Sequence, residues 1–205
     1  MTERETLSIT GIILAGGQSS RMGRDKALLP LPGEPATTFL AHLASLLIEH
    51  CQDVVLVARD QEQSHEYLPY LPPLVRVVTD EVAQVGPLMG LYSGLRAMHT
   101  SHALVTAVDT PFLQPSLLNF LFAQARPDTV TMPLVGGQAQ VLLALYPRSI
   151  LPLIEQRLQE GRRDPRSLLQ LAQVHTLEEA QLRTVDPQLR SFINLNTPED
   201  FSLYR

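Results

Sequence analysis

Short apolar runs alternate along the chain with stretches of helical period. Residues 10–15 are apolar, β-branched and brief, as a buried strand is, and a glycine-rich segment follows them. Across residues 37–51 the apolar positions Phe39, Leu40, Leu43, Leu46 and Leu47 fall on one helical face. "DVVLVA" (53–58) reads as a second strand, and residues 60–73, polar and proline-rich, as a loop or irregular link. "LVRVVTD" predicts a third strand ending at Asp80. Gly86-Pro87 opens a helix to about Met98, because proline suits a first helical turn. "ALVTAVD" predicts a fourth strand ending at Asp109, and Pro115 starts a helix to about Ala125.

Strands this evenly apolar, separated by helices, predict an α/β fold with a mostly parallel sheet covered on both faces. "TVTMPL" and "QVLLALY", joined through Gly136-Gly137, predict a hairpin-like pair and so at least one antiparallel strand. The last third reads as two helical stretches and then "SFINLNTPEDF". There Thr197 is placed to cap a helix, with Pro198 first in it and Asp200 three residues after the cap.

Composition narrows the class. The chain has 205 residues, 44% of them apolar and 18% charged, which suits one domain with a sizeable core. The expectation is a single domain over 1–205. A net charge of −5 excludes nucleic acid as a bulk partner, so any polyanion must be held by a local cluster. Cys51, the single cysteine, has no partner for an internal disulfide and reads as a small buried hydrophobe. The N-terminal residues carry no apolar signal core, and no run approaches 18 apolar residues, so a cytoplasmic protein away from membranes is expected.

The chemistry concentrates in "LAGGQSSRMGRDK", residues 14–26. Glycines after a strand let backbone N–H groups point at an anion, and Arg21, Arg24 and Lys26 add charge. Lys26 is the only lysine of the chain, the other fifteen basic residues being arginines. The stretch is neither G-x-G-x-x-G nor a Walker loop, since Gly23 is followed by Arg24-Asp25-Lys26. Asp80 and Asp109 close their strands. A single strand-end aspartate serves equally well as a turn residue, but two beside a phosphate-type loop point to the ligand crevice of an open α/β sheet.

In four places, "LAGGQSSRMGRDK", "VTDEVAQVGPLMGLYSGL", "VTAVDTPFL" and "INLNTPEDF", the chain resembles the molybdenum cofactor guanylyltransferases. The resemblance implies a Rossmann-like nucleotidyltransferase fold, with a nucleotide-binding half at about 8–110 and an acceptor half at about 111–205, and transfer of GMP from GTP to the terminal phosphate of molybdopterin, with pyrophosphate released. It implies Mg²⁺ as cofactor, and cofactor-delivery proteins and molybdoenzyme chaperones as further partners. By the same resemblance Leu14, Ala15 and Gly16 contact the nucleotide through backbone, and Lys26 binds its phosphates. Asp80 is a nucleotide contact, Asp109 is shared by GTP and magnesium, and Arg21 joins Lys26 and Asp109 as catalytic. Asn194 and Asn196 face the pterin or a metal-bound water; on their own, these asparagines fit Asx-turn chemistry before a helix cap equally well. The chain departs from the family at two points. It reads "VLVAR" where an asparagine is often found, and Gln140-Val141-Leu142 where Q-P-L is common.

Three other readings stay open: a cytidylyltransferase for the same cofactor, a sugar-phosphate nucleotidyltransferase, and a non-catalytic nucleotide-binding adaptor. The first carries L-A-A-G where this chain has Leu14-Ala15-Gly16-Gly17, and the second a K-P pair that "DKALLPL" lacks. A retired site has no reason to keep both Lys26 and Asp109. His99 and His102, without acidic or cysteine neighbours, read as surface residues. "GRRDPR" (161–166) reads as a solvated interhelical loop, or as a holder of the cofactor's phosphate or of a partner protein.

Overall fold

The computed structural model describes residues 8–16, 25–82, 85–195 and 200. The N-terminal half runs β1 (Ile9–Leu14), β2 (Pro30–Leu31), β3 (Glu34–Thr38), α1 (Phe39–His50), β4 (Asp53–Ala58), α2 (Gln61–Tyr67), β5 (Val75–Thr79), α3 (Pro87–Ala97) and β6 (His102–Ala107). There follow α4 (Pro115–Ala123), β7 (Val130–Val135), β8 (Gln138–Ala139), β9 (Leu143–Pro147), α5 (Leu151–Gln159), β10 (Val174–Leu177) and α6 (Glu179–Leu182). The main sheet has the order β10-β7-β9-β6-β1-β4-β5, with β8 paired to β7, and β2 and β3 form a separate ribbon. β1 is parallel to β4 and β6, β4 to β5, and β10 to β7. β9 runs antiparallel to both β6 and β7. The mixed, mostly parallel sheet expected from the sequence is what forms.

Two cores flank the sheet, because alternate strand residues point to opposite faces. Ile9 and Ile13 of β1, Val54 and Leu56 of β4 and Leu104 of β6 join the core under α1 and α4. Ile12, Val55, Val57, Ala103 and Val105 join the core under α3 and α5. The Thr38 hydroxyl caps α1 by accepting from Ala41 N–H, and Phe39, Leu40, Leu43, Ala44 and Leu47 are its buried face. α3 lies close on the sheet. A Cβ on Gly94 would stand 2.7 Å from Ile12 Cγ2, so only glycine permits that approach. Among the described residues no helix is long and apolar enough to cross a membrane.

Several local expectations are corrected. Residues 60–73 are not irregular: they hold α2 and a 3-10 turn at Leu68–Tyr70. Asp60 accepts from Gln63 N–H and starts the helix, but with little more than Tyr67 on its apolar side the segment shows no stripe. Gly136 and Gly137, at φ 56° and 73°, turn β7 into the short β8, whereas β9 crosses back to pair chiefly with β6. Between the two helical stretches of the last third lies β10, a four-residue strand that adds to β7, with Thr176 exposed and Leu177 buried. His102 is 4% exposed, not a surface residue. It opens β6, with Nδ1 bonded to Ser101 Oγ and Nε2 to the Arg126 carbonyl. His99 is exposed, as expected. Cys51 is a free thiol whose pKa burial lifts to about 12, so it is an inert packing residue.

Candidate functional site

β1 is the point from which the chain winds outward, first through β4 to β5 and then back to β6 on the other side. Ligands of open α/β sheets bind outside the carboxyl ends of strands at such a switch point, and the larger cavity, about 550 Å³, opens there. Leu14, Ala15, Gly16, Lys26, Asp80 and Asp109 all line it. Six of the sequence-predicted residues therefore come together. Arg21, Asn196, and the Thr197-Pro198 cap lie outside the described residues.

Asp80 and Asp109 stand slightly beyond their strands. Pairing stops at Thr79 in β5 and at Ala107 in β6. After β6 the Ala107 carbonyl accepts from both the Thr110 N–H and its hydroxyl, a turn that lifts Asp109 off the sheet. Its carboxylate lies 3.8 Å from Lys26 Nζ, with the two side chains 25% and 18% exposed. Burial raises the Asp109 pKa and the Lys26 charge opposes the rise. A second cation would favour the ionised form further.

Asp80 carries a different signature. Its Oδ1 is buried and finds no hydrogen-bond partner among the described residues, and burial raises its pKa to about 6. An unmet buried oxygen of this kind costs about 1–3 kcal/mol, and a ligand with N–H donors would relieve that. Gly16 and Gly90 flank this carboxylate. Cβ atoms built on them would sit 3.5 Å from Asp80 Oδ2 and Oδ1 respectively, which is ordinary contact. Packing does not require glycine at either place, so the missing side chains serve the space of the cavity.

Lys26 begins a 3-10 turn whose cap is Asp25. Asp25 lines the same cavity, and sequence reasoning passed over it. Its Oδ1 accepts from Ala27 N–H at 3.0 Å, while Oδ2 accepts from Gln63 Nε2 at 3.0 Å and from the Tyr67 hydroxyl at 2.7 Å. Arg59 also lines the cavity, just past the end of β4 where family members often carry an asparagine; its guanidinium pairs with Asp60 at 2.8 Å.

A second cavity of about 420 Å³ adjoins the first, and Pro87, Ala107, Asp109 and Leu142 line both. Its far side holds Gln140, Arg163, Arg166, Phe192 and Asn194. The 161–166 loop is more than a solvated link. The Arg163 carbonyl accepts from Leu88 N–H in the first turn of α3, and a Cβ on Gly86 (φ 114°) would touch Arg163. The sequence signal here is three arginines around a proline, which specifies no docking partner.

No group of three or more His, Cys, Asp or Glu among the described residues is arranged to hold a metal. Mg²⁺ asks for less, typically one or two carboxylates with water and phosphate oxygens completing the shell. The half-buried Asp109 carboxylate, a hard oxygen donor at the meeting of two cavities, fits that demand.

Residues 11–183 match the model of the MobA-like NTP transferase domain. A protein of Chloroflexus aggregans named probable molybdenum cofactor guanylyltransferase is 37% identical over 96% of this chain and 93% of its own. The molybdenum cofactor guanylyltransferase of Desulfosudis oleivorans is 33% identical, over 94% and 92% respectively. The crystal structure of molybdopterin-guanine dinucleotide biosynthesis protein A from Archaeoglobus fulgidus superposes with a TM-score of 0.80 at 26% identity, covering 95% of this chain and 96% of that one.

Proposed function

Because this chain belongs to the MobA-like NTP transferases, we propose that it transfers GMP from GTP to the terminal phosphate of molybdopterin and releases pyrophosphate. The observation that carries the reading is the shared wall: two cavities, one with Gly16 and Lys26, the other with Arg163 and Asn194, meet at Asp109. A transferase must bring donor and acceptor together at one phosphorus atom. The nucleotide takes the larger cavity and the pterin phosphate the smaller, which also divides the chain at about residue 110.

The attacking group is a phosphate monoester. Its second pKa of about 6 leaves it mostly dianionic at neutral pH, so it needs no general base. An acceptor oxygen bonds to the α-phosphorus of GTP, the bond from that phosphorus to the β-phosphate bridging oxygen breaks, and pyrophosphate departs with the electron pair. The harder task is bringing two polyanions together. Lys26, and Arg21 in the residues before it, supply positive charge and alignment, the main contributions to phosphoryl-type transfer. Asp109 is the residue that would hold Mg²⁺, which when bound neutralises phosphate charge. Asp80 supports guanine in particular. An ionised carboxylate can accept from the N1–H and N2–H of that base together, whereas adenine and cytosine present one amino donor beside an acceptor. A cytoplasmic setting, and exchange of the pterin with delivery proteins and molybdoenzyme chaperones, go with this reading.

Pyrophosphate release with each of four nucleoside triphosphates, with and without molybdopterin, tests it. Release is expected only with GTP, molybdopterin and a divalent cation together, and Asp109→Asn should lose several orders of magnitude while staying folded. A higher kcat/KM for CTP would move the protein to cytidylyl transfer, and near-normal release by folded Asp109→Asn would remove Asp109 from the chemistry.

A further inference from the structure

We infer that Asp25 is a positioning residue, through which α2 holds Lys26 in place for the reaction. The inference rests on the reading of Lys26 as the phosphate-binding lysine. Capping the short turn that starts at Lys26 uses only Oδ1 of Asp25. The other oxygen takes two donors from an element about forty residues away, Gln63 Nε2 and the Tyr67 hydroxyl. Both donors belong to side chains removed from water, Gln63 at 1% and Tyr67 at 0% exposed. They are fixed in turn: Gln63 Oε1 accepts from Arg59 N–H at 2.8 Å, and Gln63 N–H donates to Asp60 at 2.9 Å.

Lysine loses much rotamer entropy when it is ordered, and its head is a compact charge that must meet phosphate oxygens at a set place. A lysine on a surface turn would wander with the turn. Here the residue before it is held by three hydrogen bonds, and Ala27 after it is fully buried. Next along the chain, Leu29 N–H bonds back to the Lys26 carbonyl and the Leu29 carbonyl accepts from Phe39 N–H. The amine is thereby delivered 3.8 Å from Asp109. With all its described bonds spent on orienting the loop, the Asp25 carboxylate acts through Lys26 and not on the nucleotide.

Tyr67→Phe keeps the ring and deletes one of the donors. It should lower kcat about tenfold with the KM for molybdopterin unchanged. In a Lys26→Ala background the same change should cost nothing further, because residues acting as a unit are non-additive. Losses that multiply across the two sites would overturn the inference. A readout independent of turnover uses the sole lysine of the chain. Reductive methylation with ¹³C-formaldehyde gives one side-chain signal besides the α-amine. That signal should move in Tyr67→Phe and in Asp25→Asn, the second variant guarding against misfolding of the first. A signal identical to wild type in both folded variants would overturn the inference. Failure of the wild-type protein to release pyrophosphate from GTP with molybdopterin would count against the guanylyl transfer alone, since the comparison of lysine signals still decides whether Asp25 sets Lys26.

Discussion

The main-chain N–H of Leu195 donates to the carbonyl oxygen of Asp109 at 3.0 Å. That bond ties the C-terminal segment to the residue standing between the two cavities. Upstream, the 3%-exposed Asp186 carboxylate accepts from the N–H groups of Arg190 and Ser191, and Ser191 Oγ accepts from Gln114 N–H, so the segment reaches the site already anchored.

Asn194 precedes the tie and lines the smaller cavity. Asn194→Ala leaves the Leu195 N–H in place and removes only the side-chain amide. The KM for molybdopterin should rise about three- to tenfold, the worth of one hydrogen bond, with the KM for GTP unchanged in steady-state assays. An equal weakening of GTP would assign the segment to the nucleotide.

Asp80 should make both stability and nucleotide affinity depend on pH. Burial lifts its carboxyl from 3.8 to about 6. Between those values the folded protein holds a proton that the unfolded chain has released, so stability is lost as pH rises through about 6. The partial exposure of the group limits the penalty to on the order of 1 kcal/mol. Asp80→Asn should therefore raise Tm by about 2–4 °C at pH 7.5, with the gain shrinking toward pH 5. The same variant should lose about ten- to a hundredfold in kcat/KM for GTP, the cost of charge-assisted hydrogen bonds. In the wild type, GTP affinity should fall as pH drops below about 6. Thermal melts and GTP titrations across that range check both signs.

Lys26→Arg preserves charge but should lose most of the activity. A guanidinium is a broad planar fork, whereas the ammonium that lies 3.8 Å from Asp109 is a compact point charge. Mild acylation should inactivate the protein through Lys26, and Mg²⁺–GTP should slow that modification several-fold. An unchanged rate under saturating nucleotide, read by mass spectrometry, would place Lys26 outside the nucleotide site.

Gly94→Ala tests the packing of α3 on the sheet. The added methyl would overlap Ile12 Cγ2 at 2.7 Å and press on Val57 Cγ2 at 3.1 Å. Overpacking should cost about 1–3 kcal/mol, against a helix-propensity gain of at most about 1 kcal/mol. Urea denaturation should show a lower midpoint with an unchanged slope.

Much of this was written in local pattern. Residues 10–15, 53–58 and 103–109 are apolar runs too short for helices. The 37–51 stripe and the Gly86-Pro87 start mark α1 and α3 in nearly their observed positions. Asp80 and Asp109 stood out because an acid directly after an apolar run is out of keeping with its surroundings, and Lys26 because nothing else in the chain is lysine. Such signals survive in sequence because they depend on periodicity and residue type within a few positions.

What only the tertiary structure decided depends on partners far apart in the chain. β9 enters between β6 and β7 instead of closing a simple hairpin, since backbone pairing is chosen by which edge is free and not by the strand's own residues. α2 carries no apolar stripe, yet Gln63 and Tyr67 are buried because Asp25, about forty residues earlier, gives their polar ends a partner. The 161–166 loop docks on α3 because the first turn of a helix has N–H groups with no partner of their own, and the Arg163 carbonyl answers one of them. Asp109 stands between two cavities because a turn lifts it clear of β6 and Leu195 holds its carbonyl. Each of these is a polar group satisfied across a long sequence separation, where burial supplies the energy and only the fold supplies the neighbour.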